Sequence, residues 1–382
     1  MSMSASRASR ASRGRLLGTW LTVALSLGGG ARAGERRDDT ALARAMEEAV
    51  KALVAADEFS GAVMVARGED VLFQGAWGLA SRSFRAPNRV DTKFNLGSMN
   101  KMFTAVAIAQ LAQQGKLDFG DTVGRHLPAW PNAAVREKVT IHHLLTHTSG
   151  MGSYFNDSYQ KAAKEQFRRV RDYRPLFAEE PLSFEPGTKW SYSNSGFMLL
   201  GEIVEAVSGK DYFDYVRENV TGPLGMTDTD CYEMDRDTEN LAIGYTKEGA
   251  YPLPTGGKWN NLYLHVVKGG PAGGCFSTVP DLVKFAAGLR GGKLLSDTYT
   301  TLVTEGKVSP DPEKPESRYS YGISERKVGS ERIVGHGGGF PGINGQLDIY
   351  WSSGYVVAVL SNYDPPAAGA LAETIRSLIL RQ

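Results

Sequence analysis

The sequence predicts an α+β fold in which a sheet is assembled from both ends of the chain around a mainly helical insert. Three observations lead there. Apolar, β-branched runs of strand length occur early, at 61–66 and 71–79, and again late, at 332–334, 345–350 and 355–360. Between them, helix-period patterns recur at 102–113, 141–146, 197–207 and 211–219. The 44 glycines among 382 residues call for many turns and close backbone approaches rather than long helices alone.

Residues 1–33 carry Arg7, Arg10, Arg13, Arg15 and Arg32 and no acid. An uncharged run at 16–30 is too short to span a membrane but suits the apolar region of a signal peptide, and Ala31-Arg32-Ala33 supplies a cleavage site. The preferred reading is an exported protein, periplasmic or secreted, with no membrane span once the signal is removed. A mitochondrial transit peptide, also Ser-rich, Arg-rich and acid-free, is the alternative.

Beyond the polar stretch 35–40, Leu42, Met46, Val50, Leu53 and Val54 form one stripe of an amphipathic helix over 41–56. The runs 61–66 and 71–79 read as a hairpin around Arg67-Gly68-Glu69-Asp70. After the helical middle, 269–274 reads as a flexible join and 280–289 as a further helix. The three late strands follow, and a helix at 367–380 closes the chain. The segment 161–174 holds six basic residues with Phe167 and Tyr173 and reads as a solvated helix or a mobile lid, while 251–268 is a possible rim of the cleft. Cys231 and Cys275 match neither a zinc pair nor C-x-x-C, and two unpaired thiols are the simpler expectation.

The formal charge of +1, from 43 basic and 42 acidic side chains, offers no basic field for a phosphate backbone, so nucleic acid is not an expected partner. The phosphate-binding glycine motifs and G-x-S-x-G are absent. His143 and His147 stand four apart without the glutamate of a zinc protease, so no metal and no organic cofactor is implied.

S-x-x-K occurs at Ser98/Lys101, Ser158/Lys161 and Ser324/Lys327. Only the first opens a nearly uncharged helix, where Ser98 and Lys101 lie one turn apart and burial strips the lysine of hydration. An amine so placed can take the serine proton, and an N-capping serine beside a surface lysine leaves the apolar surroundings unexplained. Tyr192 and Asn194 form a Y-x-N in a Pro/Gly-turned loop entering a helix. A phenol beside an ammonium has its anion stabilised and can act as base and then acid, while Asn offers a donor and an acceptor. A competing Y-x-N, Tyr154/Asn156, lies upstream. His336-Gly337-Gly338-Gly339 follows a strand signal. There the glycines allow close approach of substrate, and the Gly339 N–H can join that of Ser98 in an oxyanion hole.

These three motifs in this order, on helix, loop and strand, together with 144–150 (LLTHTSG) and 186–194 (PGTKWSYSN), resemble the serine β-lactamase-related family over roughly 41–380. That family includes class C β-lactamases, D-Ala-D-Ala carboxypeptidases, D-aminopeptidases and carboxylesterases. The resemblance implies an antiparallel sheet flanked by N- and C-terminal helices, with an inserted mainly helical domain and the site in the cleft between. The expected boundaries are a signal peptide at 1–33, a sheet domain from 34–97 and 269–382, and a helical domain at 98–268. It implies an acyl-enzyme on Ser98, proton transfer shared by Lys101 and Tyr192, and substrate contacts from Asn194, His336, Gly337, Gly338 and Gly339, with His336 aiding orientation or proton supply. Lys268-Gly269-Gly270 is a rival third motif without flanking strands.

One departure bears on substrate. Related lactamases and carboxypeptidases carry a hydroxyl residue where this chain has Gly337, so weak recognition of carboxylates is expected. A small ester or D-amino-acid amide is the expected substrate, with β-lactams or D-Ala-D-Ala peptides as the alternative. A penicillin sensor that acylates without turnover, or a scaffold, is the remaining alternative. Oligomeric state has no signature here.

Overall fold

The computed structural model describes residues 29–247 and 257–381. The expected signal peptide lies, through residue 28, outside the described residues, as does 248–256, which includes the start of the expected rim. The chain divides by contacts into Met1–Ala41 and Leu42–Gln382, and apart from the first turns of α1 every element below belongs to the second unit. The main helices are α1 (Gly29–Ala55), α2 (Asn100–Gln113), α3 (Ile141–Leu145), α4 (Asn194–Ser208), α5 (Tyr212–Val216), α6 (Val279–Arg290) and α7 (Ala367–Ile379). The main sheet comprises β1 (Gly61–Arg67), β2 (Asp70–Trp77), β3 (Ser317–Tyr319), β4 (Ser324–Val328), β5 (Glu331–Phe340), β6 (Ile343–Tyr350) and β7 (Tyr355–Ser361).

The seven strands run in the order β2-β1-β7-β6-β5-β4-β3, every pair antiparallel. The early hairpin joins the late strands through β1 and β7, in register from Gly61 opposite Ser361 to Arg67 opposite Tyr355. The two-residue period of a strand sends alternate side chains to opposite faces. Val63, Val65, Val357 and Val359 meet Leu42, Met46 and Val50 of α1 and Leu371 and Ile375 of α7 on one face. Ala62, Met64, Leu347, Ile349, Ala358 and Leu360 belong to the core that continues into α2, α4 and α6 on the other. Helix α2 is buried from Asn100 to Ala112, as its lack of a polar face requires, and Lys101 is its one charged residue.

Several expectations change. Strand β5 extends to Phe340, so His336–Gly339 lies within the sheet rather than after a strand. The β4 ladder ends at Gly335, and beyond it pairing with β6 on the other side, from His336 opposite Leu347 to Gly339 opposite Asn344, holds a glycine run of weak intrinsic strand preference in the sheet. Strands β3 and β4 have polar sequences without clean alternation and carry no strand signal. The basic segment 161–174 is not a solvated helix: it forms short 3₁₀ turns anchored by the buried rings of Phe167 and Tyr173. Nor is 269–274 a flexible join, because Gly270 and Gly273 exchange backbone hydrogen bonds and the Gly274 N–H donates to the Gly97 carbonyl.

Cys231 and Cys275 are disulfide-bonded, with Cα atoms 4.0 Å apart, which corrects the expectation of two thiols. Asp230 and Phe276 exchange both backbone hydrogen bonds, so the adjacent pair 231/275 occupies the close, non-bonded position of an antiparallel ladder. A separation of 44 residues conceals that register in the sequence. Among the described residues, no helix is long and apolar enough to cross a membrane.

Candidate active site

Ser98 sits on a 3₁₀ turn, Gly97–Met99, that feeds α2, and it is half-buried while its neighbours Gly97 and Met99 are buried. Gly97 has φ +50°, and a Cβ there would lie 2.9 Å from the Gly339 N, so the turn needs glycine to press against β5. At Gly338 the approach is closer still: a Cβ would sit 1.9 Å from the Leu96 O and 3.1 Å from the Ser98 N. The glycines of β5 therefore bring its backbone alongside the serine.

Lys101, one turn on, has no exposed surface. Its Nζ stands 3.2 Å from the Ser98 Oγ, 2.9 Å from the Asn194 Oδ1 and 2.6 Å from the Ala272 O. Burial pushes this amine well below its usual pKa. A neutral amine has two N–H donors and one lone pair, which matches the surroundings: Asn194 and Ala272 accept, and the lone pair is left to take the Ser98 proton. The Ala272 carbonyl was not legible as a site group, because the peptide that carries it belongs to the glycine-rich turn.

Tyr192 is half-buried beside Lys101, whose Nζ is 4.7 Å from its ring centroid. Burial raises the phenol, and a hydrogen bond with Ser98 offsets this only in part. Burial thus disfavours both the ammonium of Lys101 and the phenolate of Tyr192, which runs against the ammonium-stabilised phenolate expected from the sequence. Asn194 opens α4, capped by the Ser193 Oγ accepting from the Gly196 N–H, so a helix N-terminus aims Asn194 at Lys101.

His336 is displaced from its expected role. It is buried, its Nε2 lies 2.9 Å from the Tyr319 Oη, and its Nδ1 meets the Gly337 carbonyl, leaving no ring nitrogen for substrate. Burial chiefly, with a smaller effect from the nearby Lys101 side chain, lowers its pKa to about 4, so it is not a proton source at neutral pH. Strand alternation also redirects the argument from Gly337. A Cβ there would point at the Gln346 Oε1, 2.8 Å away, on the face where Asp348 pairs with Arg376 of α7. A hydroxyl at 337 would face away from the serine.

The cavity beside Ser98 has a volume of about 330 Å³. Of the expected site residues, Ser98, Tyr192, Asn194 and Gly339 line it, whereas Lys101, His336, Gly337 and Gly338 do not. Much of the remaining wall is Tyr154, Phe155, Tyr159, His265, Phe340 and Ile343. None of the lining residues is charged at neutral pH, since burial lowers His265 and raises Tyr154 and Tyr159. Phe155 and Phe340 stack across it, ring centroids 5.8 Å apart. The aromatic character of 154–159 was visible in the sequence, but nothing there placed it opposite β5. The other two S-x-x-K pairs are exposed, Ser158/Lys161 on a short helix and Ser324/Lys327 on β4.

The Beta-lactamase family model matches residues 46–380. Penicillin-binding protein 4* of Bacillus subtilis is 31% identical over 318 residues, 80% of this chain and 68% of that protein. Esterase EstB of Burkholderia gladioli is 38% identical over 199 residues, 48% of this chain and 50% of its own length. Among solved structures, a penicillin binding protein from Bacillus halodurans superposes with TM-score 0.75 at 33% identity, covering 86% of this chain and 97% of that one. A D-stereospecific amidohydrolase from Streptomyces sp. does so with TM-score 0.73 at 26% identity, covering 89% and 99%. With an antiparallel sheet between terminal helices and a helical layer, and with that family model matched along nearly the whole described chain, this protein belongs to the β-lactamase family and is a serine hydrolase of that fold.

Proposed function

We propose that the chain hydrolyses uncharged esters or amides through an acyl-enzyme on Ser98. The observation that carries this reading is the buried, desolvated Lys101 amine 3.2 Å from the Ser98 Oγ. In the first half-reaction Oγ attacks the carbonyl carbon as its proton passes to Lys101. The carbonyl electrons move to oxygen beside the N–H groups of Ser98 and Gly339, and collapse expels the leaving group, which takes the proton back from Lys101 directly or through the Tyr192 phenol. Water then attacks the acyl carbon by the same proton path in reverse and frees Ser98. Asn194 holds the Lys101 amine in register.

The uncharged cavity supports a neutral substrate. Among its described lining residues no cation pairs with a substrate carboxylate, and no anion pairs with the ammonium of an amino-acid amide. Incubation of the mature protein with p-nitrophenyl butyrate and a fluorophosphonate tests the reading: turnover and a single adduct on Ser98 are expected, and an adduct on Ser158 or Ser324 would reject it. The penicillin-binding relatives favour a second reading, acylation by β-lactams with slow or no release, for which a burst without a steady state is the signature. The reading includes export to the periplasm or medium, on the charge and apolar pattern of 1–33. The bacterial relatives lend the mitochondrial alternative no support.

A further inference from the structure

His147 is fully buried with φ +60°, a left-handed conformation that costs a non-glycine residue on the order of 1 kcal/mol or more. It stands between the two halves of the site. Its backbone O accepts from the Ser191 N–H at 2.9 Å and its Nδ1 accepts from the Ser193 N–H at 3.0 Å, so one residue grips the chain on both sides of Tyr192. Its ring also packs on the Tyr192 ring, centroids 4.2 Å apart.

The proton positions along this contact follow from its ends. A backbone N–H only donates, so the His147 Nδ1 is bare and, in a neutral ring, its Nε2 carries the hydrogen. That Nε2 lies 3.1 Å from the Tyr319 Oη, which in turn lies 2.9 Å from the His336 Nε2. The far end is the Gly337 carbonyl, which only accepts, so His336 carries its hydrogen on Nδ1 and leaves Nε2 to accept from Tyr319. Every hydrogen bond from Ser193 to Gly337 therefore runs in one direction without conflict. Tyr319, buried and 4.8 Å from the His147 ring centroid, fixes that ring's tautomer and plane.

We infer that His147 is the positioning residue for Tyr192 and that Tyr319 locks His147 in the orientation that does so. The inference rests on the acyl-transfer reading of Ser98 and Tyr192. A phenol held by backbone grips on both flanks and by a ring on its face has little freedom to leave the proton path, and displacement by about 1 Å can cost 10²-fold in rate.

The test is a double-mutant cycle on p-nitrophenyl butyrate turnover, normalised to Ser98 sites titrated by a fluorophosphonate. Tyr319→Phe keeps the ring and removes only the hydroxyl, and His147→Asn keeps an acceptor for the Ser193 N–H and tolerates φ +60°. His147→Leu keeps neither. We expect kcat to fall about 100-fold in His147→Leu and about 10-fold in Tyr319→Phe, with KM within about threefold and partial recovery in His147→Asn. In a Tyr192→Phe background the same substitutions should each cost less than about threefold, because the group they position is already gone. Equal factors in both backgrounds would mark a merely structural role and overturn the inference, as would an unchanged kcat in folded Tyr319→Phe. Should His147→Leu not fold, the Tyr319→Phe cycle decides alone. Turnover surviving in Ser98→Ala would overturn the acyl-enzyme reading itself, whereas an inactive Ser98→Ala with multiplicative cycles overturns this inference only.

Discussion

The Nζ of Lys101 faces the Oγ of Ser98 at 3.2 Å from a position with no solvent exposure. A charged ammonium there would lack water and have no carboxylate partner among the contacts described, so the relationship favours proton acceptance over charge stabilisation. Ser98→Ala should cut turnover roughly 10³-fold or more with the fold intact, and Lys101→Ala and Tyr192→Phe should lower kcat more than they change KM. The double variant should lose far less than the product of the two, because both residues serve one proton path. Steady-state kinetics on all four proteins checks this, and losses that simply multiply would count against a shared path.

Carboxylate selection is predicted to depend on the uncharged cavity and not on position 337. Replacing Gly337→Ser crowds only the end of the flexible Gln346 side chain, on the α7 side of the sheet. It should leave the ratio of kcat/KM for a chromogenic cephalosporin to that for p-nitrophenyl butyrate within about threefold of wild type, because a group on the far face cannot touch substrate. Gly338→Ala forces a Cβ toward the Leu96 carbonyl and the Ser98 amide. It should destabilise by about 1–3 kcal/mol and lower kcat, read by urea denaturation and turnover.

Among substrates, p-nitrophenyl butyrate should exceed a cephalosporin by about 10 to 100-fold in kcat/KM, since each unpaired charge carried into an apolar cavity costs binding. D-alanine p-nitroanilide should fall below the ester as well, its ammonium lacking an anionic partner. A cephalosporin in first place would refute the argument from the lining.

The His336 pKa is lowered in the folded protein to about 4 from 6.5. Between these values the unfolded chain binds the proton first, so the contribution of this group is complete above about pH 6.5 and is lost as pH falls toward 4. His147, buried, and His265, half-buried, are lowered as well and act in the same sense. Urea midpoints between pH 7.5 and 4.5 should therefore fall steeply, and less steeply in His336→Gln.

Reduction of Cys231–Cys275, or Cys231→Ser with Cys275→Ser, should lower stability. The chain-entropy relation for a separation of 44 residues gives about 4 kcal/mol. Denaturant midpoints with and without reductant measure it, and equal midpoints would show that the bridge constrains nothing.

Much of this protein was determined locally and could be read so. The hairpin at β1 and β2, the buried uncharged helix after Ser98, the helix after Asn194 and the closing α7 each follow from periodicity and turn residues over a dozen positions. Ser98 was separable from Ser158 and Ser324 for the same reason, the apolar sequence that follows it. Contacts made across the fold had no such signature. The pairing of Cys231 with Cys275, the Ala272 carbonyl at Lys101, the chain from His147 through Tyr319 to His336 and the facing of Phe155 by Phe340 join segments separated by 17 to 185 residues. Face assignment at Gly337 depended on the register of β5 against β6, where a shift of one residue exchanges the cleft face for the α7 face. Local propensity sets which residues form each element, but the buried environment that pushes the Lys101 amine below its usual pKa and occupies both nitrogens of His336 exists only after those elements pack, because desolvation and hydrogen-bond partners are properties of the assembled core.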